Sequence, residues 1–165
     1  MTQGIYEILR NVALTDTVFE MVLGGDTSAI TAPGQFINIK LDGLYLRRPI
    51  SVCDCDDEGV TIIYKVVGKG TEQMSKMQSG ELDVLTGLGN GYDTQKSGNR
   101  PLLVGGGVGV PPMYMLCKKL VALLPNARCG LLCQRLVNVE ISLEFKVSPM
   151  VHRVADKARD GSRKC

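Results

Sequence analysis

From Ile5 to Lys65 the chain alternates short apolar runs with turn residues, the pattern of a β-rich domain. Residues 6–12 half alternate, and residues 17–23 make a second strand closed by Gly24-Gly25-Asp26. Pro33-Gly34 marks a turn, after which residues 35–41 alternate as a half-buried strand should. Asp42-Gly43 is a turn signal before Tyr45 and Leu46. Residues 50–53 and 60–67 follow as strands, separated by the acidic turn Asp54 to Gly59. Short strands at this spacing predict a small barrel or sandwich. A first helix is predicted over residues 71–78, with Met74 and Met77 on one side, then a strand over 81–85 and a glycine-rich loop from Gly87 to Gly91.

Beyond Ser97-Gly98-Asn99, which has linker composition, the pattern changes. Pro101-Leu102-Leu103-Val104 is continuously apolar, as a strand buried on both faces of a parallel sheet would be. Gly105 to Gly109 turns the chain, and residues 111–124 carry Met113, Leu116, Leu120 and Leu123 at helical spacing. Strand, glycine turn and helix make the first half of a βαβ unit. The expected architecture is therefore an all-β antiparallel barrel over residues 1–98, followed by a partial α/β, Rossmann-like domain over 99–165.

Bulk properties narrow the function classes. A chain of 165 residues has room for one domain, or one domain and part of another. A net charge of +2 and the absence of tryptophan give no reason to invoke nucleic acid. No apolar run approaches the roughly 20 residues of a membrane-spanning helix. Residues 1–10 lack the basic-then-apolar order of a signal peptide, so no membrane association and a cytoplasmic location are expected. The six cysteines, at 53, 55, 117, 129, 133 and 165, offer C-x-C and C-x₃-C spacings without the second pair a zinc or cluster site needs. They read as thiols, and no metal site is expected.

Three segments carry candidate chemistry. In Arg47-Arg48-Pro49-Ile50-Ser51 a guanidinium on a rigid strand suits a phosphate, with a hydroxyl three residues on. That spacing needs a twist or bulge to bring Arg48 and Ser51 together. An edge strand with two exposed arginines would look the same. In Gly68-Lys69-Gly70-Thr71 the glycines admit an anion to the backbone, and Thr71 is placed as helix N-cap. A plain capped connection has the same sequence. In Gly105-Gly106-Gly107-Val108-Gly109-Val110-Pro111-Pro112 the turn sits where a nucleotide-binding turn would, without the strict G-x-G-x-x-G form. Pro111 or Pro112 suits the first helical turn. The single histidine, His152, lies in an unpatterned tail, so no catalytic side chain is assigned. Asp54, Asp56, Asp57 and Glu58 read as a solvated turn.

In this order the segments resemble the ferredoxin–NADP⁺ reductase superfamily, and within it the electron-transfer subunits of bacterial NAD-dependent dihydroorotate dehydrogenase. The resemblance rests on Pro33-Gly34-Gln35-Phe36, Leu46 to Ser51, Tyr64 to Thr71, Leu88-Gly89-Asn90-Gly91-Tyr92 and Leu103 to Pro112. It implies that Arg48 and Ser51 bind the FAD pyrophosphate region, with Pro49 and Ile50 beside the isoalloxazine. It further implies that Val66 and Val67 line the flavin and that Gly70 with Thr71 caps a phosphate. Gly105, Gly106, Gly107 and Gly109 would then floor a nicotinamide nucleotide, with NAD as a second cofactor. The implied partner is an FMN-containing catalytic subunit, in a heterotetramer, with electrons passing through a [2Fe–2S] cluster to FAD in pyrimidine biosynthesis. The family's cluster cysteines, of C-x₄-C-x₂-C type, have no counterpart in this sequence. The expectation is thus a C-terminally incomplete member that alone does not sustain coupled turnover, its residues 126–165 poorly patterned. Two other readings stay open: a reductase subunit of a hydrogenase or glutamate synthase, and a β-barrel interaction module without cofactor.

Overall fold

The computed structural model describes residues 1–98 and 101–123, and the backbone of 130–134. Six strands close an antiparallel barrel in the order β1-β2-β5-β4-β3-β6. They are β1 (Thr2–Ala13), β2 (Val18–Gly24), β3 (Phe36–Ile39), β4 (Arg48–Cys55), β5 (Val60–Lys65) and β6 (Glu81–Leu88). Period-two alternation turns Met21, Leu23, Ile37, Ile39, Val52, Ile62 and Val84 inward, each fully buried or nearly so. Closure leaves no unpaired sheet edge.

Tyr45 and Leu46 do not form a strand. They lie in the exposed bend between β3 and β4, and Tyr45 is 100% exposed. β5 stops at Lys65, so Val66 and Val67 belong to the connection rather than to the strand. That connection leads into helix α1 (Lys69–Ser75), which starts two residues earlier than its pattern predicts. Its N-cap is Gly68, not Thr71. Thr71 instead sits in the first turn, where its hydroxyl accepts from the Val67 and Gly68 amides and donates to the Gly68 carbonyl. The ends of β1, β3 and β5 and the starts of β2, β4 and β6 share one rim of the barrel. α1 joins β5 to β6 there and sends Met74 into the barrel core.

After a short 3₁₀ turn at Thr94–Lys96, strand β7 (Leu102–Gly106) leads through a second such turn, Gly107–Gly109, into helix α2 (Pro111–Leu123). Strand β8 (Gly130–Gln134) pairs with β7 in parallel, the arrangement of a βαβ unit. Pro111 opens α2, where its missing N–H is harmless. One face of β7 is covered, Leu103 packing on Leu116, Cys117 and Leu120. The other is not: Leu102 and Val104 are 68% and 64% exposed. Among the described residues, then, burial on both faces, expected from the apolar run, is not seen: α2 covers one side. α2 also leans on the barrel, with Tyr114 against Val18, Cys53 and Ile63, and Lys118 Nζ 2.7 Å from Asp54 Oδ2. The expectations that fell on Cys129, His152, Cys165 and the rest of the 126–165 tail lie outside the described residues, apart from the backbone of β8.

Candidate functional site at the barrel rim

The two adjacent arginines have different fates. Arg47 Nη2 lies 2.9 Å from Asp83 Oδ2, and its Nη1 donates to the carbonyls of Asp83 and Asn38. It therefore ties β3 and β6 to the start of β4. That bond holds the Asp83 carboxyl below its ordinary range. Arg48 has no carboxylate partner among the described residues. Its Nη1 donates to the Leu46 carbonyl at 2.6 Å and weakly to the Arg47 carbonyl, leaving Nε and Nη2 with no described partner.

Arg48 lies directly over Gly70. A Cβ at position 70 would fall 2.8 Å from Arg48 Cζ, 2.9 Å from Cδ and closer still to Nε. Only glycine leaves this guanidinium its place against the start of α1. The rim thus presents an unpaired, half-buried cation laid on bare backbone, which is the chemistry of an anion cradle. α1 has barely two turns, so the charge is supplied by Arg48 more than by a helix dipole.

Arg48 and Ser51 do not converge. The β3–β4 register runs unbroken through Phe36↔Ser51, Ile37↔Ile50, Asn38↔Pro49 and Ile39↔Arg48, and the irregularity in β4 comes later, between Val52 and Asp54. With no bulge between them, residues three apart face opposite sides of the strand. Ile50 points into the core, while Pro49 and Ser51 are exposed on the outer face. The same outer face carries Asn38, whose Oδ1 is buried without a hydrogen-bond partner. Further along it, Tyr114 of α2 covers Cys53. Val67 is 80% exposed beside the rim, and Val66 is half-buried with its amide bonded to the Thr17 carbonyl.

The glycine turn after β7 is tight. Gly107 has φ +55°, and a Cβ on Gly105 would meet the Gly109 carbonyl oxygen at 3.0 Å. A Cβ on Gly109, by contrast, would meet open space.

Other motif residues build rather than bind. Gln35 Oε1 accepts from the Thr31 and Ala32 amides, and its Nε2 donates to the Gly89 carbonyl. Gly34, at φ +87°, makes room for the Tyr92 ring, whose carbon Cδ2 would lie 2.5 Å from an added Cβ. The Pro33-Gly34-Gln35 and Gly89 to Tyr92 segments are thus two sides of one packed corner. Sequence reading missed Asn11, which is 5% exposed and joins β1 to α1. Its only signal was a lone amide near the end of an otherwise half-apolar strand. The cysteines on β4 offer no reactive thiolate, since burial pushes the Cys53 thiol up to about 12 and raises Cys55 as well. Among the described residues no helix is long and apolar enough to cross a membrane.

No protein-family model matches the chain. Curated relatives do. The chain is 41% identical over 127 residues, 73% of its length, to "Dihydroorotate dehydrogenase B (NAD(+)), electron transfer subunit" of Listeria monocytogenes serovar 1/2a. The protein of that name from Bacillus mycoides is 42% identical over 124 residues. The chain spans about half the length of these relatives, 50% and 48%. Among solved structures, an NADH-dependent reduced ferredoxin-NADP oxidoreductase superposes with TM-score 0.66 at 32% identity, over 79% of this chain and 47% of that one. By these matches the chain is a relative of the electron-transfer subunits of NAD(+)-linked dihydroorotate dehydrogenase B, built on a barrel of the ferredoxin-reductase type.

Proposed function

We propose that residues 1–98 bind FAD and that residues 99 onward supply a nicotinamide-nucleotide site. The chain would then serve as the flavin-carrying part of an electron-transfer subunit. Its substrate couple is dihydroorotate oxidation, reached through an FMN-containing catalytic partner, and NAD⁺ is the acceptor. The names of the relatives support this reading, and the observation that carries it is the unpaired Arg48 guanidinium lying on Gly70.

The residues present suit a flavin dinucleotide. Arg48 has free donors for a pyrophosphate, and Gly70 keeps that place open. Thr71 shapes the loop from within, its hydroxyl spent on Gly68, so it positions the cradle rather than touching the anion. Pro49, Ser51 and Val67 present exposed surface beside the rim, with Val66 half-buried next to Val67 and Ile50 packed on the core between Pro49 and Ser51. The orphaned Asn38 Oδ1 is an acceptor waiting for a donor. Gly105, Gly106, Gly107 and Gly109 leave Val108 as the one side chain of the second turn, with bare backbone around it for NAD⁺. When bound, FAD supplies the exchange between one-electron carriers and hydride transfer. The protein's share is to hold and orient it.

The test is a visible absorption spectrum of the purified chain after incubation with FAD and removal of the excess. One flavin per chain is expected, with binding weakened in Arg48→Ala and retained in an Arg48→Lys variant at lower affinity. No retained flavin at any FAD concentration overturns the proposal.

A further inference from the structure

The barrel holds a buried polar contact that the cofactor reading does not use. Asn11 Nδ2 donates to the Met74 carbonyl and to the Met77 carbonyl, both at 2.8 Å. Its Oδ1 in turn accepts from the Tyr64 hydroxyl at 3.1 Å. Asn11 and Tyr64 are 5% and 2% exposed; the bonds to Tyr64 and to the Met74 carbonyl are buried, and the one to the Met77 carbonyl is partly so. Burial pushes the Tyr64 hydroxyl up to about 12, so it remains a donor.

These bonds close the far end of α1. Carbonyls at a helix C-terminus have no partner within the helix and need one from elsewhere. The Met74 carbonyl accepts locally from the Met77 amide at 3.1 Å and takes its second bond from Asn11 of β1, which also bonds the Met77 carbonyl just past the helix end, 63 and 66 positions away in sequence. At the near end, Thr71 fastens the same helix to its own entry loop. Between the two, Met74 is fully buried in the barrel core. α1 is about 10 Å long, so its tilt and height follow from where its two ends are held. Gly70 sits in its first turn with no spare room under Arg48. A displacement of the helix by a fraction of an ångström changes where that guanidinium can lie.

We infer that Asn11, oriented by Tyr64, is a positioning residue for the cofactor's phosphate site: it pins α1 to the barrel so that Gly70 stays beneath Arg48. The inference rests on the FAD reading above. It assigns Asn11 no contact with the cofactor. The strand position explains why an amide is needed. One side chain must donate twice to carbonyls and accept once from a phenol, and among residues of this size only asparagine does all three.

The experiment is a fluorescence titration of FAD into the full chain and two variants, with thermal unfolding and amide hydrogen exchange measured alongside. Asn11→Ala removes both donors. Val60→Ala opens a void in the same core at the opposite rim, where β5 begins, and removes no hydrogen bond to α1. Both variants lower the melting temperature. The expected result is that Asn11→Ala raises the FAD Kd by at least about tenfold, with faster exchange at the Glu72 and Met77 amides, while Val60→Ala stays within about twofold. If Asn11→Ala binds FAD as tightly as Val60→Ala, the positioning role is overturned and the FAD site stands. If the unmodified chain and Val60→Ala both fail to bind FAD, the FAD reading falls and takes the inference with it. Should Asn11→Ala not fold, Tyr64→Phe keeps both donors but frees the amide. A Kd raised about threefold then supports the role, and an unchanged Kd refutes it.

Discussion

Gly70→Ala separates the binding of the cofactor from the stability of the barrel. Gly70 occupies the first turn of α1 and is not among the glycines with positive φ, so alanine is compatible with its backbone. Taken alone, alanine favours a helix over glycine by up to about 1 kcal/mol. The new methyl, however, would occupy the space of the Arg48 guanidinium, 2.8 Å from Cζ. Arg48 is half-buried at a strand end with its charge unpaired, so the side chain can swing outward without breaking an ion pair. The one firm bond it gives up is to the Leu46 carbonyl. The net effect on thermal stability is therefore small and of either sign, within about 1 kcal/mol. Binding behaves differently. A guanidinium bonded to phosphate is worth about 1.5–3 kcal/mol, which is roughly a 10- to 150-fold rise in Kd when it is lost. The assay is FAD fluorescence quenching at fixed ionic strength, paired with a thermal melt of the apoprotein. A variant that keeps both its melting temperature and its FAD affinity would refute the placement of phosphate at Arg48. Parallel loss of both would show that Gly70 serves folding rather than binding.

Other outcomes follow from the geometry. Gly34→Ala puts a Cβ at φ +87° against the Tyr92 ring and should cost about 1–3 kcal/mol in chemical denaturation. Adding Tyr92→Ala should recover the steric part but not the backbone strain. The Asp83 carboxyl is held below its ordinary value by Arg47, so it contributes stability above the usual aspartate range that is lost as pH falls through 3.8 and lower. Melting temperature against pH should therefore fall less steeply between pH 5 and 2.5 in Asp83→Asn, about an otherwise lower plateau. With its thiol pushed up to about 12, Cys53 should stay unalkylated by iodoacetamide at pH 8 in the folded chain and react once denatured, read by peptide mass spectrometry.

Much of the architecture is written in local pattern. Alternation over residues 35–41 defines a strand because period two keeps one face of a sheet dry, and the apolar runs at 17–23 and 60–67, bounded by turn residues, mark two more, the latter ending at Lys65. Pro111 after a glycine run marks the start of a helix because proline fits only the first turn. The chemistry-bearing segments could likewise be picked out, since a guanidinium before Pro49 and paired glycines at 68 and 70 are unusual enough to notice. What those residues do lay beyond local pattern. Counting in twos from Tyr6 and Ile8 puts Arg10 and Val12 inside, yet a register shift between Ile8 and Arg10 turns Asn11 inward and leaves Val12 39% exposed. Nothing adjacent in sequence announces that shift, because it is imposed by pairing with β2. The difference between Arg47 and Arg48 is of the same kind, since it depends on Asp83 of a strand 36 residues away. So is the clearance at Gly70, which exists because two chain segments meet at one rim. Turn chemistry and periodicity act over a few residues and are decided by the chain itself. Charge pairing, strand phase and the room above a glycine are contacts between distant segments, and only the closed barrel decides them.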